Sequence, residues 1–315
     1  MASETAADHR NVFDYFQARD VPTTSVYPYA PVFPCRVDEY DAVIKRTRRS
    51  SDAAQAIAGW TRQAVERGVS VVAPLELNKT NPALIQDEHW VAYPFIVGTV
   101  YTASPDQISA AGELLGQLHS ATTELTPPPF SWPDPDAESV AEDQEALRKI
   151  VAPHAPAAAR RLGDLVNRFP QEILPVIREA GLPESAIITD YKANNLIYGA
   201  DGPVLIDPDN ADFGPRLFDL AFAALQFHTE HPPGPGWLFT TEEWSAFVAG
   251  YSTHVSLTDA ERDLWPLVVE YVLSEESVWT LIESDDWEDP HERAFLLDLA
   301  AAEPARFPLP ARDVP

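Results

Sequence analysis

The stretch from Ile188 to Asn210, ITDYKANNLIYGADGPVLIDPDN, sets Asp190, Asn195, Asp207 and Asp209 among residues that otherwise read as buried strands. Mg²⁺ takes hard oxygen ligands, few of them from protein, with phosphate oxygens completing its octahedron. An Asn and an Asp brought together by a hairpin supply such ligands. A further Asp beside them can orient an attacking hydroxyl or accept its proton. Phosphoryl transfer asks mainly for positioning and charge neutralisation, and these groups offer both. The competing reading is an ordinary pair of acidic loops, because Asp and Asn are common turn residues.

The elements that must position these groups are legible around them. NNLIY and PVLID are strand-like and GADG between them is turn-like, which puts Asn195 before a hairpin and Asp207 after it, adjacent in space. The following GPRLFDLAFAALQF reads as a helix. Upstream, TTSVYPYAPVFPCRV and YDAVIKRT read as strands around a turn-like DEYD, with Lys45 ending the apolar run AVIK. SSDAAQAIAGWTRQAVERG is a helix with a Ser cap at its start and Gly68 at its end. VSVVAPLEL and HWVAYPFIVG read as two further strands.

After Gly98 the pattern becomes helical. Ser104 and Gln107 form a capping box around Pro105 and open a helix through ISAAGELLGQLHSA. TPPPFSWPDPDAE is a Pro-rich connector, and residues 138–181 read as two helices. Thr240 with Glu243, and Thr258 with Glu261, are capping boxes for two more, and FPLPARDVP is an extended tail. The expectation is an α+β protein with a β-rich N-terminal lobe over 1–98 and a helical C-terminal lobe over 99–315.

Composition agrees with two lobes, since 315 residues exceed what one compact core usually holds. The 49 Asp and Glu residues outnumber 22 Lys and Arg, giving a formal net charge of −27. Such a field repels nucleic acid and anionic membranes and attracts a cationic ligand, although it also serves solubility alone. Cys35 is the only cysteine, so no internal disulfide and no Cys-based metal cage is expected. That composition, the lack of a signal-like N-terminus and the lack of a membrane-length apolar run point to the cytoplasm. His119, His228 and His231 read as structural. Trp60, Trp90, Trp244, Trp265 and Trp279 read as core.

The combination D-x-x-x-x-N, a short hairpin, then I-D resembles the catalytic and metal loops of the protein-kinase-like fold. The continuation IDPDNADFGPRLFDLAFAAL resembles the aminoglycoside phosphotransferase and choline kinase-like family. AVIK, VAYPFIVG with the helix ending LLGQLHSA, and LTDAERDLWPLVVEYVL resemble that family's Lys strand, hinge and C-terminal helices, so the likeness spans roughly residues 25–285. It implies a phosphotransferase that binds ATP and Mg²⁺ between its lobes. In that comparison Asp190 is the base, and Asn195 and Asp207 are the Mg²⁺ ligands. Lys45 grips the α- and β-phosphates, and the backbone from Tyr93 to Phe95 meets adenine. Asp209 is an auxiliary ligand or orients the loop, and Asp219 holds the catalytic loop. Lys192, two residues after Asp190, instead resembles the D-x-K spacing of Ser/Thr protein kinases and is placed to neutralise charge in the transition state. Besides this Lys192 spacing, the chain departs from the family at three places. Ile188-Thr189 stands where His-Gly is usual, the helix after Lys45 offers only Gln55 and Glu66 as partners, and YPYAPVFP holds no glycine.

The acid-rich chain favours a cationic small molecule or antibiotic as acceptor. Carboxylates between Glu270 and Asp289 are candidates to bind it, as acidic residues of the C-terminal lobe do in the resembled family, or are simply a solvated face. A second reading is a Ser/Thr kinase acting on a precursor peptide with a partner lyase, favoured by Lys192 and the missing His-Gly. A third is a pseudokinase scaffold.

Overall fold

The computed structural model describes residues 5–27, 30–229, 235–284 and 286–310, with the side chain of Asp286 outside the description. A first helix, α1 (Arg10–Phe16), precedes strands β1 (Val32–Val37) and β2 (Tyr40–Thr47), which pair antiparallel in the register Val32↔Lys45. Helix α2 (Ser51–Glu66) follows, with Ser50 capping it through a bond from the Ala53 amide. Strands β3 (Ala83–Ile85) and β4 (Glu88–Pro94) complete an antiparallel sheet of order β1-β2-β4-β3. Val12, Phe13 and Phe16 of α1 pack with Phe33, Ile44 and Trp90 of this sheet.

Period-two alternation decides what β2 does. Ala42 and Ile44 point into that core, so Lys45 points to the opposite face. The reading of residues 69–77 as a strand is not upheld. Val71 makes one parallel bridge to Leu205, and the edge strand is Ala83–Ile85 instead. The VSVVAPLEL run is apolar because Val69, Val71 and Val72 plug the junction between the sheet and the rest of the chain, which gives the same pattern as a buried strand.

The remainder is mostly helical. Helix α3 (Pro105–Ser120) is followed by α4 (Ala137–Ala146), α5 (Pro156–Arg168) and α6 (Leu174–Glu179). The two helical stretches expected over 138–181 thus continue through π-helical turns at Leu147–Val151 and Phe169–Ile173. Four short strands come next: β5 (Glu184–Ile187), β6 (Leu196–Gly199), β7 (Gly202–Leu205) and β8 (Asp212–Pro215). β6 and β7 form the expected hairpin, while β5 pairs with β8. Helices α7 (Leu217–Gln226), α8 (Thr241–Tyr251), α9 (Asp259–Val272), α10 (Val278–Glu283) and α11 (Pro290–Ala301) close the fold.

The boxes at Thr240–Glu243 and Thr258–Glu261 are both complete. At Ser104 only half is present, because Gln107 Oε1 accepts instead from the Thr102 amide and hydroxyl. Trp60, Trp90, Trp244 and Trp265 are buried, but Trp279 is 60% exposed on α10 and is not core. His231 and Asp285 fall outside the described residues.

Two close approaches fix the frame of the site. A Cβ on Gly98 would sit 2.6 Å from the Tyr198 carbonyl, so only glycine lets the chain leaving β4 lie against β6, where Thr99 and Tyr198 exchange backbone bonds. A Cβ on Gly112 of α3 would sit 1.9 Å from the Phe247 carbonyl of α8, which sets how closely those helices cross. No helix among the described residues is long and apolar enough to cross a membrane.

Candidate active site

The loop that carries Asp190 is held from below by one buried carboxylate. Asp219, on α7 and fully buried, accepts from the Ile188 amide at 2.7 Å and the Thr189 amide at 2.8 Å. His119 Nε2 lies 3.1 Å from the same carboxylate, and its Nδ1 lies 3.0 Å from the Tyr251 hydroxyl. The structural reading of Asp219 and His119 has this geometry as its content. Thr189 takes a left-handed φ of 53°, a region that favours glycine and is costly for a β-branched residue. The two bonds to Asp219 and a third from Thr189 Oγ1 to the Asn210 carbonyl, 3.0 Å, hold it there.

Asp190 follows directly. Its carboxylate meets Lys192 Nζ at 3.1 Å and Asn195 Nδ2 at 3.1 Å, and Asn195 Nδ2 also donates to its carbonyl at 2.9 Å. Burial raises the Asp190 carboxyl above its ordinary range, Lys192 opposes that rise, and Asp207 adds to it. The Ile206 amide donates to the Asn195 carbonyl, so the open end of the hairpin sets Asn195 beside Asp207, as the sequence spacing requires.

Lys45 comes to this loop from the other lobe. Its Nζ donates to Asp207 Oδ1 at 2.6 Å and lies 3.2 Å from Asp209 Oδ2. Burial alone would lower its pKa, but the two carboxylates hold it above the ordinary value. Tyr93 faces the same cluster: its hydroxyl donates to Asp209 Oδ1 at 2.7 Å. Arg49, which no sequence pattern singled out, bonds the Asp209 carbonyl through Nε at 2.8 Å and pairs with Asp212 at 3.1 Å. Phe95 is half-exposed, and its amide donates to the Asp41 carbonyl at 2.9 Å. Neither Gln55 nor Glu66 approaches Lys45. Gln55 bonds the Pro82 carbonyl, and Glu66 is exposed.

An amide and two carboxylates are hard oxygen donors, a chemistry suited to Mg²⁺. Both contacts of the Asn195 amide are made by its nitrogen, which leaves its oxygen to face a cation. The residues present therefore fit such an ion. Beside this cluster, Val72, Val91 and Tyr93 pack with Ile96, Val204 and Ile206 into a small apolar seam between the sheet and the hairpin.

Thr189, the residue before Asp190, lines a cavity of about 210 Å³ walled by Phe130, Trp132, Phe218 and Tyr271, with Glu275 and Glu276 also lining it. The two glutamates fall within a π-helical turn, Leu273–Ser277, between α9 and α10. Such turns are rare and occur often at functional sites. Burial and the neighbouring Glu276 and Asp143 push the Glu275 carboxyl up to about 7. Glu276 is pushed up by burial and by Asp190, but it is the more open of the two to solvent, which tempers the effect. Neither makes an ion pair with a described residue. Of the other acidic candidates, Glu270 meets Arg168 at 3.4 Å, Glu283 and Glu288 are exposed, and Asp289 caps α11. His228 is structural, its Nδ1 2.8 Å from the Trp237 carbonyl.

The model of the phosphotransferase enzyme family matches residues 35–265, well over half of the chain. The chain belongs to that family. The chain has the protein-kinase-like two-lobed fold, with an antiparallel N-lobe sheet and a mostly helical remainder. Its fold matches the amicoumacin kinase hAmiN in complex with AMP-PNP, Ca²⁺ and Ami, with a TM-score of 0.67 and 15% identity over 96% of this chain and 94% of that one. It also matches the microcompartment-associated aminopropanol kinase, with a TM-score of 0.60 and 14% identity over 94% of each chain. In sequence it is 28% identical over 164 residues to the serine/threonine protein kinase RdoA of Salmonella typhimurium strain LT2. The match takes in 50% of this chain and 47% of RdoA, so the chain spans about half the length of the curated relatives it matches.

Proposed function

We propose that this chain, with lobes dividing near Gly98, transfers the γ-phosphoryl group of ATP to a hydroxyl of a cationic small molecule. The observation that carries this reading is the placing of Asp190. Its carboxylate meets Asn195, beside the cluster of Lys45, Asp207 and Asp209, and the residue before it, Thr189, lines the aromatic, doubly acidic cavity. Tyr93 to Ile96 and the apolar seam reaching Val204 and Ile206 form the surface for adenine. Lys45 neutralises the phosphates. Asn195 and Asp207 are the proposed Mg²⁺ ligands, with Asp209 a third candidate. When bound, the ion would neutralise charge on the phosphate oxygens.

Asp190 orients the acceptor hydroxyl and takes its proton, a role that its raised pKa favours. Lys192, 3.1 Å away, holds the carboxylate in place and offers positive charge beside the transferred group. Glu275 and Glu276 receive an ammonium group, and the rings around them suit its apolar body. Two of the similar proteins support this class by name, an amicoumacin kinase and an aminopropanol kinase.

A Ser or Thr of a peptide is the second acceptor class, with a lyase as its possible partner. It is favoured by the contact of Lys192 with Asp190 and by the relative named a serine/threonine protein kinase. The dimensions of the cavity favour the small molecule. Calorimetric titration of Mg·ATP into the wild type and Asp207→Asn tests the nucleotide side, and an acceptor screen of amino alcohols and cationic antibiotics against Ser/Thr peptides tests the other. Micromolar binding that Asp207→Asn abolishes supports the reading. No binding to the wild type leaves a scaffold.

A further inference from the structure

Kinase-like sites need their nucleotide lysine held in place by a carboxylate, commonly supplied by the helix that follows its strand. Helix α2 cannot supply one here. Its inward residues are Ala54, Ile57, Ala58, Trp60, Thr61 and Ala64, and its acidic residues, Asp52 and Glu66, are exposed. The carboxylates that reach Lys45 are Asp207 and Asp209, both from the loop after β7.

These two aspartates are not equivalent. The Asp207 side chain is 33% exposed and the Asp209 side chain 11%. Asp209 is fixed on several sides. Tyr93 donates to its Oδ1, Lys45 lies against its Oδ2, Arg49 bonds its carbonyl, and its amide donates to Asp207 Oδ1 at 3.3 Å. Tyr93 is itself buried in β4, at 3% exposure, so the clamp is anchored in the sheet that carries Lys45. A cation ligand needs a lone pair open to the ion, which Asp207 has. Among the described residues, Asp209 Oδ2 is buried without a hydrogen bond, and the ion-pair partner close to it is Lys45 Nζ at 3.2 Å.

We propose that Asp209, locked by the Tyr93 hydroxyl, is the positioning residue for Lys45, replacing the missing helix carboxylate, and is not a ligand to the metal. The inference rests on the reading of this cleft as a nucleotide site. When a cation takes Asp207, Lys45 keeps Asp209 as its counter-charge, so its ammonium stays aimed at the phosphates. This also explains why a tyrosine stands at a strand position that faces the cleft. Its ring joins the apolar seam, and its hydroxyl reaches across to the metal loop.

The test uses the full chain with Mn²⁺ and AMP-PNP. Free Mn²⁺ is followed by electron paramagnetic resonance, and nucleotide affinity by calorimetry. In the protein–nucleotide complex, Asp207→Asn should weaken Mn²⁺ by about tenfold or more, and Asp209→Asn by no more than about twofold. Asp209→Asn should weaken Mn·AMP-PNP about tenfold, and Tyr93→Phe about threefold, as expected for loss of a charged partner and of one hydrogen bond. Both effects should vanish in a Lys45→Met background, where Asp207→Asn keeps its effect. A purely structural role for Asp209 would persist in that background. Equal loss of Mn²⁺ in the two Asp→Asn variants would make Asp209 a ligand and overturn the proposal. So would additive effects with Lys45→Met. Tyr93→Phe carries the same coupling test if Asp209→Asn does not fold. Failure of the wild type to bind Mn·AMP-PNP at all would overturn the nucleotide-site reading itself, and this inference with it.

Discussion

Two sets of acidic residues lie near Asp190, and they differ in what faces them. Asp207 and Asp209 are matched to cations already in the protein: Lys45 lies against both, and Arg49 secures the loop that bears them. Glu275 and Glu276 are set among aromatic rings with no described cation in ion-pair reach. The first set holds Lys45 above its ordinary pKa, while Glu275 drifts up to about 7 because burial and its acidic neighbours disfavour its charge. The lesson is that carboxylates left without a partner in a lined cavity are kept at a cost to the fold, a cost that the proposed cationic acceptor would recover.

The largest effect should come from the residue near both sets. Asp190→Asn should lower acceptor-dependent ATP consumption by about 10³-fold or more, as loss of a general base does. AMP-PNP affinity should stay within about twofold by calorimetry. A large loss of nucleotide affinity would show that Asp190 belongs to the phosphate side alone.

The two sets should then separate in steady-state kinetics. Asp207→Asn should weaken Mg·ATP by about 100-fold and leave the acceptor KM nearly unchanged. Glu275→Gln should raise the acceptor KM by about tenfold, roughly one charge-assisted hydrogen bond, and leave ATP binding unchanged. A Glu275→Gln enzyme with normal acceptor KM would break the comparison, because the cavity would then not be the acceptor site.

Much of this was legible in the chain because it depends on local pattern. The hairpin spacing put Asn195 beside Asp207, and the resemblance of AVIK to a lysine strand singled out Lys45, which β2 then sets opposite the core face. What escaped was long-range. Tyr93 read as backbone for adenine, yet its hydroxyl spans 116 positions of sequence to Asp209. Arg49 carried no pattern at all. Val69 to Val72 read as a strand because a plug between lobes is as apolar as a ladder, and Trp279 read as core because one aromatic on a helix does not say which way it faces. Among the many acids of the C-terminal lobe, the cavity they line picks out Glu275 and Glu276, and nothing in their spacing announces it.

Smaller effects test the charge matching through stability. Arg49→Ala should destabilise by about 1–3 kcal/mol, since it strands the half-buried Asp212 without its cation. Glu275→Gln should act in the opposite sense, and only at high pH. The Glu275 carboxyl is raised in the folded protein, from 4.5 to about 7, so the folded state holds more protons than the unfolded state between those values. Stability therefore falls as pH rises through that window, and the loss is complete above it. Glutamine carries no charge at any pH and escapes the loss. The variant should thus be about 1 kcal/mol more stable than the wild type at pH 8, with the gap closing towards pH 4, a figure set well below the full shift because the side chain is only half-buried. Chemical denaturation at the two pH values measures this directly. A saturating cationic acceptor should erase the advantage at pH 8, because it stabilises the wild type and finds no charge in the variant. If Glu275→Gln is neutral or destabilising at pH 8, Glu275 already has a counter-charge in the folded protein, and the contrast between the two acidic sets disappears.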